Sequence, residues 1–243
     1  MVPQSAYEWR SMAQLSLLPA PFGQRFGARR RRKYWCGPLA YAGGVEADPV
    51  DEDLTALAGR LRALPASCGP VRLIAVDGHA GSGKSTFAGR LAQALGGAPV
   101  MHTDDLATHE ELFGWDERFR EQVAAPLSRG ECARYEVYDW VRREFGERRE
   151  LAPAPVVLIE GVGTGRRALR PYLACLLWME LAREHSWERG QLRDGPDLSA
   201  FWDGWIRAER RHFAADPSRP YADLLVHQGP VGYEVCLGQS GRS

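Results

Sequence analysis

Val71-Arg72-Leu73-Ile74-Ala75-Val76-Asp77-Gly78-His79-Ala80-Gly81-Ser82-Gly83-Lys84-Ser85-Thr86 decides the fold of this chain. Its first half is a short aliphatic and β-branched run, as in a parallel strand buried on both faces. Its second half holds Gly78-x-x-x-x-Gly83-Lys84-Ser85, the G-x-x-x-x-G-K-[ST] pattern of a phosphate-binding loop. Glycines let the backbone curl so that successive N–H groups converge on an anion. A helix predicted from about Lys84 to Leu95 adds its positive N-terminal end. Gly78, His79, Ala80, Gly81, Ser82, Gly83, Lys84, Ser85 and Thr86 are thus the expected cradle for the phosphates of ATP. Lys84 is expected to reach the β- and γ-phosphates, and the Ser85 hydroxyl to ligate Mg²⁺. The chain has two lysines, Lys33 and Lys84, against 29 arginines. A sequence so biased toward arginine still keeps a lysine at the loop position.

The chain has 243 residues, enough for one α/β domain with a sizeable core. Its formal net charge is zero but unevenly spread. Residues 1–45 hold seven basic residues and one acid, which leaves the remainder at −6. An acidic body argues against a nucleic-acid-binding domain. The five cysteines lie far apart, without a C-x-x-C or Cys/His cluster, so neither a zinc site nor a disulfide framework is expected. Cys175, in an apolar run, reads as a small core residue. No apolar stretch approaches the length of a membrane span. A reducing cytoplasm is the expected compartment.

Residues 1–49 contain Pro-Ala-Pro-Phe, the run Arg29–Lys33 and Gly/Pro-rich turns, without periodicity. They read as a disordered tail; a targeting leader and a contact for an anionic surface stay open. Residues 50–243 form the expected folded domain. There, acids at 51–53 precede Leu54, Leu57, Leu61 and Leu64 at helical spacing. Further strands are expected at Pro99–Thr103, Pro155–Glu160, Leu173–Met179 and Leu224–Val226, the last in the chain. With Val71–Asp77 they make a mostly parallel five-stranded sheet, with helices on both faces because strands and helices alternate. A helix opens at Trp115 and runs to about Leu127. Arg134–Trp140 reads as a hairpin arm, Arg142–Arg149 as its polar tip, and Arg166–Pro171 as a helix. Trp202, Trp205 and Ile206 read as core of a later helix.

Two acids, Asp104 and Asp105, follow the second strand at its carboxyl end, where open α/β sheets face their ligands. They suit a general base and a metal-water ligand, or alternatively a helix cap. Glu160 ends another strand and reads as a second carboxylate on the metal side. Ser85, Glu160 and Asp104 are the candidate metal ligands.

From Val71 to Gly229 the residues resemble the uridine kinase-like branch of P-loop kinases. The resemblance is carried by the loop and by the spacing of Thr103-Asp104-Asp105, Val137-Tyr138-Asp139-Trp140, Ile159-Glu160-Gly161, an Arg-bearing segment and Tyr221-Ala222-Asp223. It implies a three-layer P-loop sandwich with a small hairpin and a lid. It implies that Asp104 takes the proton from an acceptor hydroxyl, that Asp116 holds sugar hydroxyls, and that Tyr138 contacts a base. It also implies catalytic lid arginines at Arg189 and Arg193. Asp105, Asp116, Tyr138 and Arg143 are the expected substrate-binding residues, with Arg143 standing where the family carries a histidine. Arg143 reads equally as a residue of the solvated hairpin. The implied activity is ATP- and Mg²⁺-dependent phosphorylation of a hydroxyl on a small metabolite, a nucleoside first. A kinase of a nucleotide or another sugar-bearing metabolite, and a regulatory P-loop ATPase, remain the rival readings. A small-molecule acceptor is the expected partner; homo-oligomerisation stays open.

Overall fold

A computed structural model describes residues 54–238. The expected tail at 1–49 and the acids at 51–53 lie outside the described residues. In chain order the elements begin with α1 (Leu54–Ala63), β1 (Arg72–Asp77), α2 (Lys84–Ala94), β2 (Val100–His102) and α3 (Asp116–Phe119). After α3 come a π-turn at Arg120–Ala124, α4 (Ala125–Ser128), β3 (Ala133–Asp139), β4 (Glu144–Leu151), β5 (Val156–Glu160) and β6 (Leu173–Met179). The chain closes with α5 (Arg183–Asp194), α6 (Ser199–Ala215), β7 (Leu224–Gln228) and β8 (Tyr233–Leu237).

The main sheet runs β2-β5-β1-β6-β7-β8. Its first five strands pair in parallel, and β8 returns antiparallel to β7. The five expected strands are all present. The sixth is an addition: the chain does not leave the sheet at His227 but turns at Gly229–Gly232 and pairs back. Tyr233 anchors this strand, buried with its ring against Phe87 of α2.

Strand alternation builds the layers. Ile74, Val76, Leu158 and Leu177 face α1 and α2, with Cys175 among them. Leu73, Ala75, Val157, Ile159 and Trp178 face the opposite core, with Phe119, Val123 and Leu127 of the α3–α4 helix. A third cluster joins Ala80 of the loop to Trp187 of α5 and to Trp202 and Trp205 of α6. Each half of the sheet thus buries aliphatic surface worth about 25 cal/mol per Å². The π-turn has a local cause. Pro126 has no N–H to offer and its ring would clash with the preceding turn, so the helix widens before it.

Two expectations are corrected. Arg142–Arg149 is not the tip of a hairpin: Glu144–Leu151 is strand β4, paired with β3. Its charges are the outward side of an exposed ribbon, matched across it by Arg134–Glu150 and Arg148–Glu136. The tip is Trp140–Arg143, set by Asp139, whose Oδ1 accepts from the N–H groups of Val141 and Arg142. Arg166–Pro171 is not an α-helix either. It is a turn held by Arg166 on the Gly163 carbonyl, followed by one 3₁₀ turn at Arg170–Tyr172 that contains Pro171. Among the described residues no helix is long and apolar enough to cross a membrane.

Candidate active site

The phosphate loop joins β1 to α2 with Gly78, Gly81 and Gly83 at φ of 147°, 83° and 94°. Only glycine takes these angles without strain. Gly83 caps α2 with no side-chain hydrogen bond, which leaves the first N–H groups of the helix directed at the loop's concavity. Lys84 is buried, and its Nζ donates to the His79 carbonyl at 3.0 Å. A Cβ on Gly81 would stand 1.9 Å from the Ser186 carbonyl, so α5 lies directly on the loop. Arg189, on the same helix, donates to the Gln228 side chain and lies 3.9 Å from where a Gly83 Cβ would be. Arg193 sits one turn further on and is bidentate to Asp194.

Two buried carboxylates that sequence reasoning missed hold the loop in place. Asp77 accepts from the N–H groups of Gly78, Gly163 and Gly165 at 2.7–2.8 Å, tying the loop to the turn after β5. Burial pushes its pKa up against those hydrogen bonds. Glu209 of α6 accepts from His79 Nδ1 at 2.6 Å, the Ala80 N–H at 3.2 Å, and the indoles of Trp187 and Trp205 at 3.0 and 2.8 Å. Burial pushes its pKa up, but these partners, with His79 foremost, hold it below the usual carboxylate range. The sequence carried no signal for either role beyond an acid on an otherwise apolar face.

The second acid group gathers at the carboxyl ends of β2 and β5. Glu160 and His102 are register partners on adjacent strands, and His102 Nδ1 lies 2.5 Å from Glu160 Oε1. The same oxygen accepts from the Ser85 hydroxyl at 3.0 Å. Burial acts to raise the Glu160 pKa, and His102, Lys84 and Ser85 together bring it below the usual value. Asp104, in the 3₁₀ turn after β2, is pushed up to about 6, first by burial and then by repulsion from Glu160, with Lys84 opposing. Asp105 turns the other way. It is buried and paired with Arg149 at 3.0 Å, with the Tyr135 hydroxyl at 3.4 Å. Expected at the substrate, it instead fastens the β3–β4 hairpin to the sheet.

On the acceptor side, Asp116 is half-exposed and pairs with Arg166 at 3.4 Å. Arg166 is buried over the Trp115 ring and also donates to the Phe113 carbonyl. The Tyr138 hydroxyl meets His109 Nδ1 at 3.0 Å. Arg143, in left-handed backbone at φ 59°, is exposed and paired with Glu110. These three expected residues do not touch one another. Tyr138 and Arg143 are instead joined to the segment at residues 109–113, and Asp116 reaches it through Arg166. Trp140 connects that segment to the acids: its ring lies 4.9 Å from His109, and its indole N–H donates to the Asp104 carbonyl at 3.3 Å.

The arrangement fits a nucleotide and its cation. Gly78 and Gly81 have no room for side chains, Gly83 holds a left-handed backbone angle, and the uncapped helix end and Lys84 offer donors to phosphate. Among the described residues no group of three or more His, Cys, Asp and Glu side chains could hold a metal alone. The Ser85–Glu160 pair suits Mg²⁺, which keeps waters and phosphate oxygens and takes one or two protein ligands.

No protein-family model and no curated protein sequence matches this chain. Solved structures do. One described as a possible uridine kinase from Bacillus stearothermophilus superposes with a TM-score of 0.54 at 19% identity, covering 71% of this chain and 96% of that one. A protein provisionally assigned as a fructose transport system kinase, from Silicibacter sp. TM1040, gives 0.52 at 22% identity, covering 73% and 100%. The glycine cradle on a parallel sheet, the acids at its carboxyl edge and these superpositions agree: the chain has the fold of the P-loop kinases.

Proposed function

We propose that this protein is an ATP- and Mg²⁺-dependent kinase that phosphorylates a hydroxyl of a small metabolite, of nucleoside-like build. The observation that carries the reading is the meeting of three features at one sheet edge: Lys84 at the mouth of α2, the Ser85–Glu160 pair, and Asp104 with its raised pKa. An ATPase needs the first two, but a carboxylate placed as Asp104 is what a hydroxyl acceptor requires. Bound Mg·ATP supplies the phosphoryl group and neutralises much of its charge. Lys84 and Arg189 add positive charge beside it, and the helix end orients it. Asp104 would take the hydroxyl proton as the oxygen bonds to the γ-phosphorus and the bond from that phosphorus to the ADP oxygen breaks, with ADP as the leaving group. Ser85 and Glu160 hold the metal side. Arg193 would have to leave Asp194 to join them. The nucleoside-like build rests on Tyr138 and Asp116, which the resemblance assigns to base and sugar.

ADP release from the full chain with Mg·ATP and a metabolite panel tests the reading. Release that depends on an acceptor is expected; release without one supports the ATPase. Asp104→Asn should lower kcat by about 10²–10⁴-fold, the usual worth of a positioned base, with ATP affinity retained. Near-normal turnover in that variant would remove Asp104 from the role.

A further inference from the structure

A groove of about 500 Å³ runs between the segment at residues 109–113 and α6. On the helix it is lined by Gly204, Ala208, Arg211 and His212, spaced i, i+4, i+7 and i+8, which is one helical stripe. The two small residues open the groove, and a Cβ on Gly204 would meet nothing within 4 Å. On the other wall His109 and Phe113 offer ring surface, with Phe113 stacked on His212 at 4.6 Å and 6°.

The charges along this groove are unevenly matched. Glu110 is paired with Arg143, and Glu111 with Arg118. Among the described residues Arg211 is the one charged side chain of the groove with no ion pair. His109 is held below the ordinary histidine pKa by burial and by Arg143 nearby, and His212 is pushed down to about 4 by burial and Arg166. Both rings are therefore neutral at pH 7. Nε2 of His212 is buried and has no hydrogen-bond partner, and the same is true of Nη2 of Arg166 beside it. The His212 nitrogen lies against Gly163 and is shut off from the groove, so the groove's unspent polarity is the one Arg211 guanidinium, with both acids already neutralised.

Its position links it to the chemistry. His109 contacts Tyr138 and Trp140, and Trp140 donates to the Asp104 carbonyl, so His109 and one indole connect the groove to the backbone of the candidate base. The geometry points to this groove as the pocket of the phosphate-accepting metabolite, and to Arg211 as the anchor of a negative group on it. The acceptor is then a hydroxyl-bearing carboxylate or phosphate monoester, with ring surface for Phe113 and His109. This rests on the kinase reading above and replaces its nucleoside-like acceptor, placed on Tyr138 and Asp116, with an anionic one beside them.

Matched pairs test it: gluconate against glucose, ribose 5-phosphate against ribose, and uridine 5′-monophosphate against uridine. Binding to the full chain is measured by calorimetry with Mg·ADP present, and turnover by acceptor-dependent ADP release from Mg·ATP. At least one charged member should bind tenfold or more tighter than its neutral partner; whether carboxylate or phosphate prevails identifies the group. Arg211→Gln should erase most of that preference without weakening the neutral partner. Gly204→Leu, which fills the groove from a position with open space, should weaken both members at least tenfold while ADP affinity and the thermal midpoint hold. Should that variant not fold, Ala208→Leu makes the same measurement. Equal binding within every pair, no binding by any compound, a preference surviving Arg211→Gln, or unchanged binding in the filled groove would overturn the proposal. Arg211-dependent binding without acceptor-dependent ADP release would instead remove the kinase reading and leave an anion-binding groove.

Discussion

The carboxylate of Glu209 is the side chain on which the phosphate loop rests most directly. It accepts from four donors and is shut off from solvent, so a neutral amide cannot replace it without setting an N–H₂ against at least one N–H. An unmatched buried donor costs about 1–3 kcal/mol. Glu209→Gln should therefore lower the thermal midpoint by roughly 2–10 °C in a chain of this size. It should also weaken ATP, since His79 and Ala80 lose their support; intact ATP affinity would show that the loop holds its shape alone. His212 makes a pH prediction. Its folded pKa is about 4 against 6.5 when unfolded, so as pH falls the unfolded chain takes up its proton first. The stabilisation is fully present above pH 6.5 and is lost on descending to pH 4. The midpoint measured across that window should drop, and His212→Phe, which keeps the stack on Phe113, should flatten that part of the drop. Asp104 acts on rate instead. As a base with a pKa of about 6 in the free enzyme it must be ionised, so kcat/KM should climb through pH 6 to a plateau.

Among the elements, α5 is the one whose placement decides what the loop can do. It meets the loop at Gly81 and meets α6 at Gly190, where a Cβ would stand 2.3 Å from the Trp202 ring. Gly190→Ala should force α5 and α6 apart and shift Arg189 away from the loop. The expected readout is a rise in KM for ATP measured at temperatures where the variant is fully folded; a normal KM would detach the helix from nucleotide binding. This helix was legible as a polar helical segment bearing Arg183, Arg189 and Arg193 but not as a packed one, because its buried face is Ser186, Trp187 and Gly190, a single apolar side chain that sets no hydrophobic period. The hairpin was half legible for the opposite reason. The β3 arm alternates, whereas β4 is exposed along most of its length and its charges mimic a loop. The strand β8 was missed because Gly229–Gly232 reads as an exit, and only pairing with β7 reveals it as a turn.

At the scale of the molecule, the five parallel strands were legible because buried strands are continuous apolar runs. The acceptor side was not, because it is assembled from the segment at 109–113, the hairpin and α6, which are far apart in sequence and linked by single polar contacts. Asp105 illustrates the limit: two adjacent acids look alike in sequence, yet one feels Glu160 and Lys84 and its neighbour clamps Arg149. Ligand binding should be felt by the whole domain. If ATP engages the folded chain alone, a concentration a hundredfold above its Kd adds about 2.7 kcal/mol. For a domain of this size that raises the midpoint by roughly 5–10 °C. Lys84→Ala should abolish most of the rise, and a rise that persists would place the nucleotide elsewhere.

The scarcity of lysine gives Lys84 a second use. Between residue 34 and the end of the chain it is the one primary amine, and it sits buried with its ammonium on the His79 carbonyl. An acylating reagent that modifies amines therefore has a single target in the folded domain, distinguished from Lys33 and the α-amino group by the mass of one peptide. The extent of labelling at that peptide, with and without nucleotide, becomes a direct chemical gauge of how much of the protein carries ligand, in purified samples or in extracts.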